Sequence, residues 1–143
     1  MFFNASLFNS EARHGVTDCD IERIEKVDEA LLRGILNAHA KVPIEALYLE
    51  TGAIPVRYIL KSRRINFLQN ILKKHDEELV REVLNAQKES PLDGDFCKLV
   101  VSDPAQVNLS MTENEMTNSS NAAFKTTVKN KVKTTTFKAL IEA

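Results

Sequence analysis

The sequence has no tryptophan, and it is sparing with cysteine, glycine, proline and aromatic residues. Four Gly and four Pro are few for an all-β fold, which depends on many tight turns. The two cysteines, Cys19 and Cys97, lack the spacing of a metal site or a redox pair and read as free thiols in a reducing compartment. No run approaches the roughly 18 apolar residues of a membrane span. The stretch from Met1 to Phe8 is apolar but has no basic leader and no long hydrophobic run, so it does not read as a signal peptide. The sequons at Asn4, Asn108 and Asn118 are therefore expected to carry no sugar. A net charge of -1 gives no global pull toward nucleic acid or an anionic membrane, so any such affinity must come from a local patch. The expectation is an intracellular protein, cytoplasmic or nuclear, with no membrane partner.

What remains is ordinary globular composition. With 43% hydrophobic and 27% charged residues over 143 positions, the chain has the means for one domain with a modest core. The pattern divides it into an irregular segment over 1–16, a helical core over 17–90, a loop-rich linker with one short helix over 91–121, and a C-terminal amphipathic helix over 122–143.

Helical periodicity carries most of that reading. Thr17 has the character of an N-cap, with Asp20 three residues on. Ile21, Ile24, Val27, Leu31, Leu32 and Ile35 recur as one apolar face of a helix from Asp18 to Asn37. Pro43 suits the first position of a second helix ending at Thr51, with Gly52 as its left-handed cap. A third runs from about Pro55 to His75. Asp76 can cap a fourth, to about Lys88, with Leu79, Val80, Val83 and Leu84 as its apolar face. The short run from Phe96 to Val101 stops before Pro104 and is taken as helix because its neighbours are helical. In the final stretch, three adjacent β-branched residues, Thr134 to Thr136, predict fraying. The expected fold is all-α: an orthogonal array of about five or six helices with a partly irregular C-terminal third.

Charge is placed unevenly. From Pro55 to His75 there are six basic residues and no acid: Arg57, Lys61, Arg63, Arg64, Lys73 and Lys74. At 100° per residue, Arg57, Lys61 and Arg64 share a narrow stripe between two apolar rows. Asp28, conversely, falls inside the apolar face of the first helix, and a buried charge needs a partner. One reading is an internal ion pair of Asp28 with Arg57 or Arg64. The other is that Arg57, Lys61, Arg63 and Arg64 contact phosphates without reading sequence. A second basic patch, Lys125, Lys129, Lys131, Lys133 and Lys138, is opposed by Glu142 alone. It reads as a solvated helix face or as a further backbone contact. There is no Gly-rich phosphate loop and no His-Glu-x-x-His or Cys-x-x-Cys ligand set. No catalytic residue, cofactor, metal or small-molecule ligand is predicted.

Three segments carry a family resemblance. They are Asn9-Ser10-Glu11-Ala12 with Gly15-Val16-Thr17; Ile21-Glu22 through Asp28-Glu29-Ala30-Leu31-Leu32-Arg33 to Ile35-Leu36; and Lys41 through Pro43 and Glu45-Ala46-Leu47-Tyr48-Leu49-Glu50-Thr51-Gly52 to Ile54-Pro55-Val56-Arg57-Tyr58-Ile59 and Ser62-Arg63-Arg64-Ile65-Asn66-Phe67-Leu68. This series resembles the region downstream of the reverse-transcriptase domain in non-LTR (LINE-like) retrotransposon polyproteins. The block from Glu45 to Leu68 is its specific part. The family's catalytic aspartates belong to a separate upstream domain, in a Tyr- or Phe-x-Asp-Asp motif that this chain does not contain. The resemblance therefore implies a supporting role without enzymatic activity: bracing a reverse-transcriptase core, or holding RNA or DNA backbone through Arg57, Arg63 and Arg64. Arg13 stands where similar sequences place an aromatic such as Trp. The alternative is a helical protein–protein interaction module.

Overall fold

Thr17 opens the first helix as its sequence context predicts. In the computed structural model, which describes residues 17–143, the Asp20 amide donates to the Thr17 hydroxyl at 3.3 Å. The Thr17 amide donates in return to the Asp20 carboxylate at 3.1 Å, which completes a capping box. The irregular segment expected over 1–16, with Asn4 and Arg13, lies outside the described residues. From Thr17 onward the described residues form seven helices and no strand: α1 (Asp18–Leu36), α2 (Ile44–Thr51), α3 (Val56–Leu72), α4 (Leu79–Glu89), α5 (Phe96–Gln106), α6 (Glu113–Asn118) and α7 (Asn121–Glu142). The fold is the all-α array that composition and periodicity predict.

Local chemistry sets the boundaries. Asn37 ends α1 in the left-handed region at φ 48°, and its amide returns to the carbonyls of Arg33 and Gly34. Gly52 ends α2 at φ 66°, where glycine meets no Cβ penalty. Pro43 and Pro55 stand one place earlier than the first helical position, as extended N-cap residues of α2 and α3. Asp76 does not cap α4. That helix starts at Leu79, and the Asp76 carboxylate instead accepts from the Arg81 guanidinium at 3.1 Å.

Helix α3 is the axis of the array and packs against α1, α4, α5, α6 and α7. Its Ile65, Leu68, Ile71 and Leu72 meet Leu84, Cys97, Val100, Val107, Leu109, Met116, Phe124, Val128 and Val132 in the main core. A fully buried aliphatic side chain in such a cluster contributes about 1.5–3 kcal/mol. Gln69, buried among them, donates to the carbonyls of Met116 at 2.9 Å and Ser119 at 3.2 Å. It ties α3 to the end of α6 and satisfies an otherwise costly polar group. A smaller cluster sets Ile21 and Ile24 of α1 against Val56 and Leu60 of α3.

The segment 91–121 is not a linker with one short helix. It carries both α5 and α6, and it gives Cys97, Val100, Val107, Leu109 and Met116 to the main core. Helix α5 also runs past Val101 and through Pro104 to Gln106. The missing proline amide falls in the last turn, where burial of Asp103, Val107 and Leu109 holds the backbone in place.

Helix α7 likewise continues through Thr134, Thr135 and Thr136 without a break. Thr135 donates its hydroxyl to the Val107 carbonyl at 3.2 Å, and Thr136 is fully buried. The buried positions Phe124, Val128, Val132 and Thr136 are spaced by four. Each step of four turns about 40° beyond a full circle, so the row winds around the helix. That drift takes Leu140 off the α3 face and seats it in a corner formed by Leu32, Leu36, Val42, Ile44, Leu47 and Tyr48. Replacing Leu140 with alanine is expected to cost about 2 kcal/mol, the lower end for a leucine, since it is only partly buried. Urea denaturation checks this; a midpoint equal to wild type would mean that Leu140 does not hold the corner.

Among the described residues, no helix is long and apolar enough to cross a membrane.

Candidate nucleic-acid interface

The cationic stripe of α3 is largely neutralised inside the chain. The Arg64 guanidinium makes a two-pronged pair with Asp103 of α5, at 2.6 and 3.0 Å. The side chains of Arg64 and Asp103 are 15% and 3% exposed. Arg57 makes a second fork to Glu25 of α1, at 2.8 and 2.7 Å. That hydrogen bonding raises the Arg57 pKa above its ordinary value, against a smaller opposing effect of burial. Lys61 lies half-buried between them, its amine 5.2 Å from the centre of the Tyr58 ring. Burial lowers its pKa, with Asp103 opposing that shift. Arg63 is half-buried on the same helix.

Asp28 pairs with neither Arg57 nor Arg64. Its carboxylate is buried between α1 and α2 and accepts the Tyr48 hydroxyl at 2.9 Å. The two arginines leave the stripe in different directions. Arg57 meets Glu25, almost one turn before Asp28, while Arg64 lies two turns further along α3 and faces α5. Desolvation raises the Asp28 pKa above the usual carboxylate value; the Tyr48 hydrogen bond opposes that shift, and Glu25 adds to it. The Tyr48 hydroxyl is pushed up by burial and by the same carboxylate.

Periodicity alone does not single out Glu25, Tyr48 and Asp103. Glu25 carries a weak signal, because it lies three residues before Asp28 and so points the same way. Asp103 carries none, since it stands at the end of a run whose extension past Pro104 is not legible.

Helix α7 presents the opposite situation. Its buried row leaves Lys125, Lys129 and Lys133 along one flank, about 6 Å apart in rise. Lys131 lies on the other flank and Lys138 faces away from the core. All five are exposed, and Lys133 leans over the Phe137 ring, 5.7 Å from its centre. Lys138 reaches Glu142 at 4.0 Å. Among the described residues, no carboxylate pairs with Lys125, Lys129, Lys131 or Lys133. At the start of α7, the Lys73 amine adds positive charge and donates to the Ser119 carbonyl at 2.5 Å and the Asn121 side chain at 2.7 Å.

The described residues hold no cluster of three or more His, Cys, Asp and Glu side chains arranged to take a metal ion. No family model, curated protein or solved structure matches the chain.

Proposed function

We propose that the chain is a supporting, non-catalytic module derived from the region that follows the polymerase core of a non-LTR retrotransposon protein, and that it contacts nucleic-acid backbone through α7. One observation carries the contact: the exposed lysines of α7, four of which have no carboxylate partner among the described residues. Such ammonium groups neutralise phosphates by releasing condensed counterions, without reading bases. The α3 stripe is a weaker candidate, because Arg57 and Arg64 would have to give up Glu25 and Asp103 to reach a phosphate.

The test is fluorescence anisotropy of a labelled RNA–DNA duplex titrated with the chain at several salt concentrations. Affinity is expected to fall linearly in log–log form with salt. Replacing Lys125, Lys129 and Lys133 with alanine should reduce that slope by about 3, roughly one for each lost phosphate contact. These positions are exposed, so helicity by circular dichroism should not change. A folded chain that does not bind, or a triple variant with the wild-type slope, ends the proposal.

A specific observation favours a second reading, a helical interaction module. Leu79, Val80 and Val83 of α4 are expected in the core from their spacing but stand exposed, and only Leu84 is buried. Contiguous exposed apolar surface marks partner sites.

A further inference from the structure

The flank of α7 that carries Lys125, Lys129 and Lys133 continues past the lysines. Two further steps of four bring Phe137 and then Ile141 into the same row. Each step turns about 40° past a full circle, as does the buried row Phe124, Val128, Val132 and Thr136. The two rows therefore wind together, about a quarter-turn apart, and the flank keeps the same aspect along the helix. Read from the start of α7, it presents exposed ammonium groups, then an aromatic ring, then an isoleucine that is 71% exposed.

Phe137 is the anomaly in that row. Tyr48, Tyr58, Phe67, Phe96 and Phe124 each pack into one of the hydrophobic clusters. The Phe137 ring belongs to none of them. It is half-buried, and the Lys133 amine stands over its face at 5.7 Å. A cation over a ring near solvent is held weakly, so Lys133 can leave for a phosphate and open the ring face. The neighbouring strip opposes no anion. Thr126, Asn130 and Thr134 are exposed and uncharged, and the two threonine hydroxyls turn back to the carbonyls of Ala122 and Asn130. The one acid of α7 is Glu142, past the ring and 4.0 Å from Lys138.

We infer that this flank binds an unpaired strand of nucleic acid, with successive phosphates on Lys125, Lys129 and Lys133 and a base stacked on Phe137. The lysines advance by about 6 Å along one line, which suits the phosphates of one strand. A line of cations ending in an aromatic ring is the arrangement that holds single strands without regard to sequence. In a duplex the base faces are closed against one another, so the ring adds nothing there. The inference rests on the reading of α7 as a backbone contact and adds to it the state of the strand.

The experiment uses the full chain and labelled probes: a thymidine strand of about ten nucleotides, the same strand without its bases, and a duplex. Anisotropy is expected to show the thymidine strand binding about tenfold more tightly than the abasic one, the scale of one stacked base. Phe137→Leu should lower thymidine-strand affinity to the abasic level. Its binding to the abasic strand and the duplex should stay within about twofold of wild type, with an unchanged salt slope, because no phosphate contact is lost. Circular dichroism should match wild type, since the ring belongs to no cluster. Equal binding of the two strands by the wild-type chain overturns the inference, whatever the variant does. So does a loss of duplex binding in Phe137→Leu as large as the loss of strand binding. In either case a salt slope that falls when the lysines are removed leaves the backbone contact standing. A chain that binds none of the probes overturns both. If Phe137→Leu leaves strand binding untouched but abolishes binding to phosphatidylserine vesicles, the inference fails and the flank belongs to an anionic membrane.

Discussion

Replacing Arg64 with alanine is expected to destabilise the fold by about 3–5 kcal/mol, the cost of leaving a buried charge without its partner. Asp103 is almost fully buried, and the Arg64 fork supplies both of its hydrogen bonds at 2.6 and 3.0 Å. In a domain of this size the loss corresponds to a fall of about 10–15 °C in melting temperature. Arg64→Lys should recover only part of it, because an ammonium group cannot reproduce the planar fork. The double change Arg64→Met with Asp103→Leu should restore most of the stability, since neither charge is then left alone in the interior. Thermal denaturation of wild type, Arg64→Met, Asp103→Leu and the double variant forms a double-mutant cycle. An Arg64→Ala variant within about 1 kcal/mol of wild type would show that the pair does not hold α3 to α5. The size of the effect also explains why Arg64 is a poor position for testing nucleic-acid contact: loss of binding there would report unfolding.

Tyr48→Phe is the second large effect, at about 3 kcal/mol at neutral pH. Among the described residues no cation pairs with Asp28, and the Tyr48 hydroxyl donates to its carboxylate. Removing that donor leaves a buried acceptor unsatisfied, a penalty larger for a charged group than for a neutral one. The pH dependence has a definite sign. Desolvation raises the folded-state pKa of Asp28 above its ordinary carboxylate value. Between those two values the folded chain holds a proton that the unfolded chain has released. Stability therefore rises as pH falls through the folded pKa, and the gain is complete below the ordinary value of about 3.9. Tyr48→Phe should accordingly be most harmful at neutral pH and milder near pH 4. Asp28→Asn keeps an acceptor for Tyr48 and removes the buried charge, so it should match or exceed wild type at pH 7 and lose that advantage in acid. Paired urea titrations at pH 7 and pH 4 decide the matter. A Tyr48→Phe penalty that is the same at both pH values would rule out an ionised Asp28 as its source.

These two contacts show where the sequence is legible and where it is not. Short-range signals read through to the structure: the Thr17–Asp20 capping box, the glycine after α2, and the prolines before α2 and α3. Each depends on residues within a turn or two of one another. Asp28 is also legible as an unusual charge on an apolar face, but its partner is not, because Tyr48 lies on a different helix. The same holds for Arg64 and Asp103, 39 positions apart. Helices α5 and α7 defeat local reading for a related reason. Pro104 and the three threonines from Thr134 to Thr136 disfavour helix locally, and tertiary burial of Val107, Leu109, Val132 and Thr136 overrides them. Helix α4 errs the other way. Its four apolar residues describe a core helix, yet the fold covers only Leu84. As for the candidate interface, the lysines of α7 are visible in the sequence, but that Lys125, Lys129, Lys131 and Lys133 meet no carboxylate among the described residues is a property of the folded chain.

The winding row on α7 also orders events in time. The caps and first turns of α1 and α2 can form early, because their contacts are near in sequence. The corner they share stays open until Leu140 arrives from the far end of α7, across a chain segment whose closure costs entropy before any contact repays it. That seat therefore belongs to the downhill side of the folding barrier. In stopped-flow experiments Leu140→Ala should show itself as faster unfolding, with the refolding rate almost unchanged.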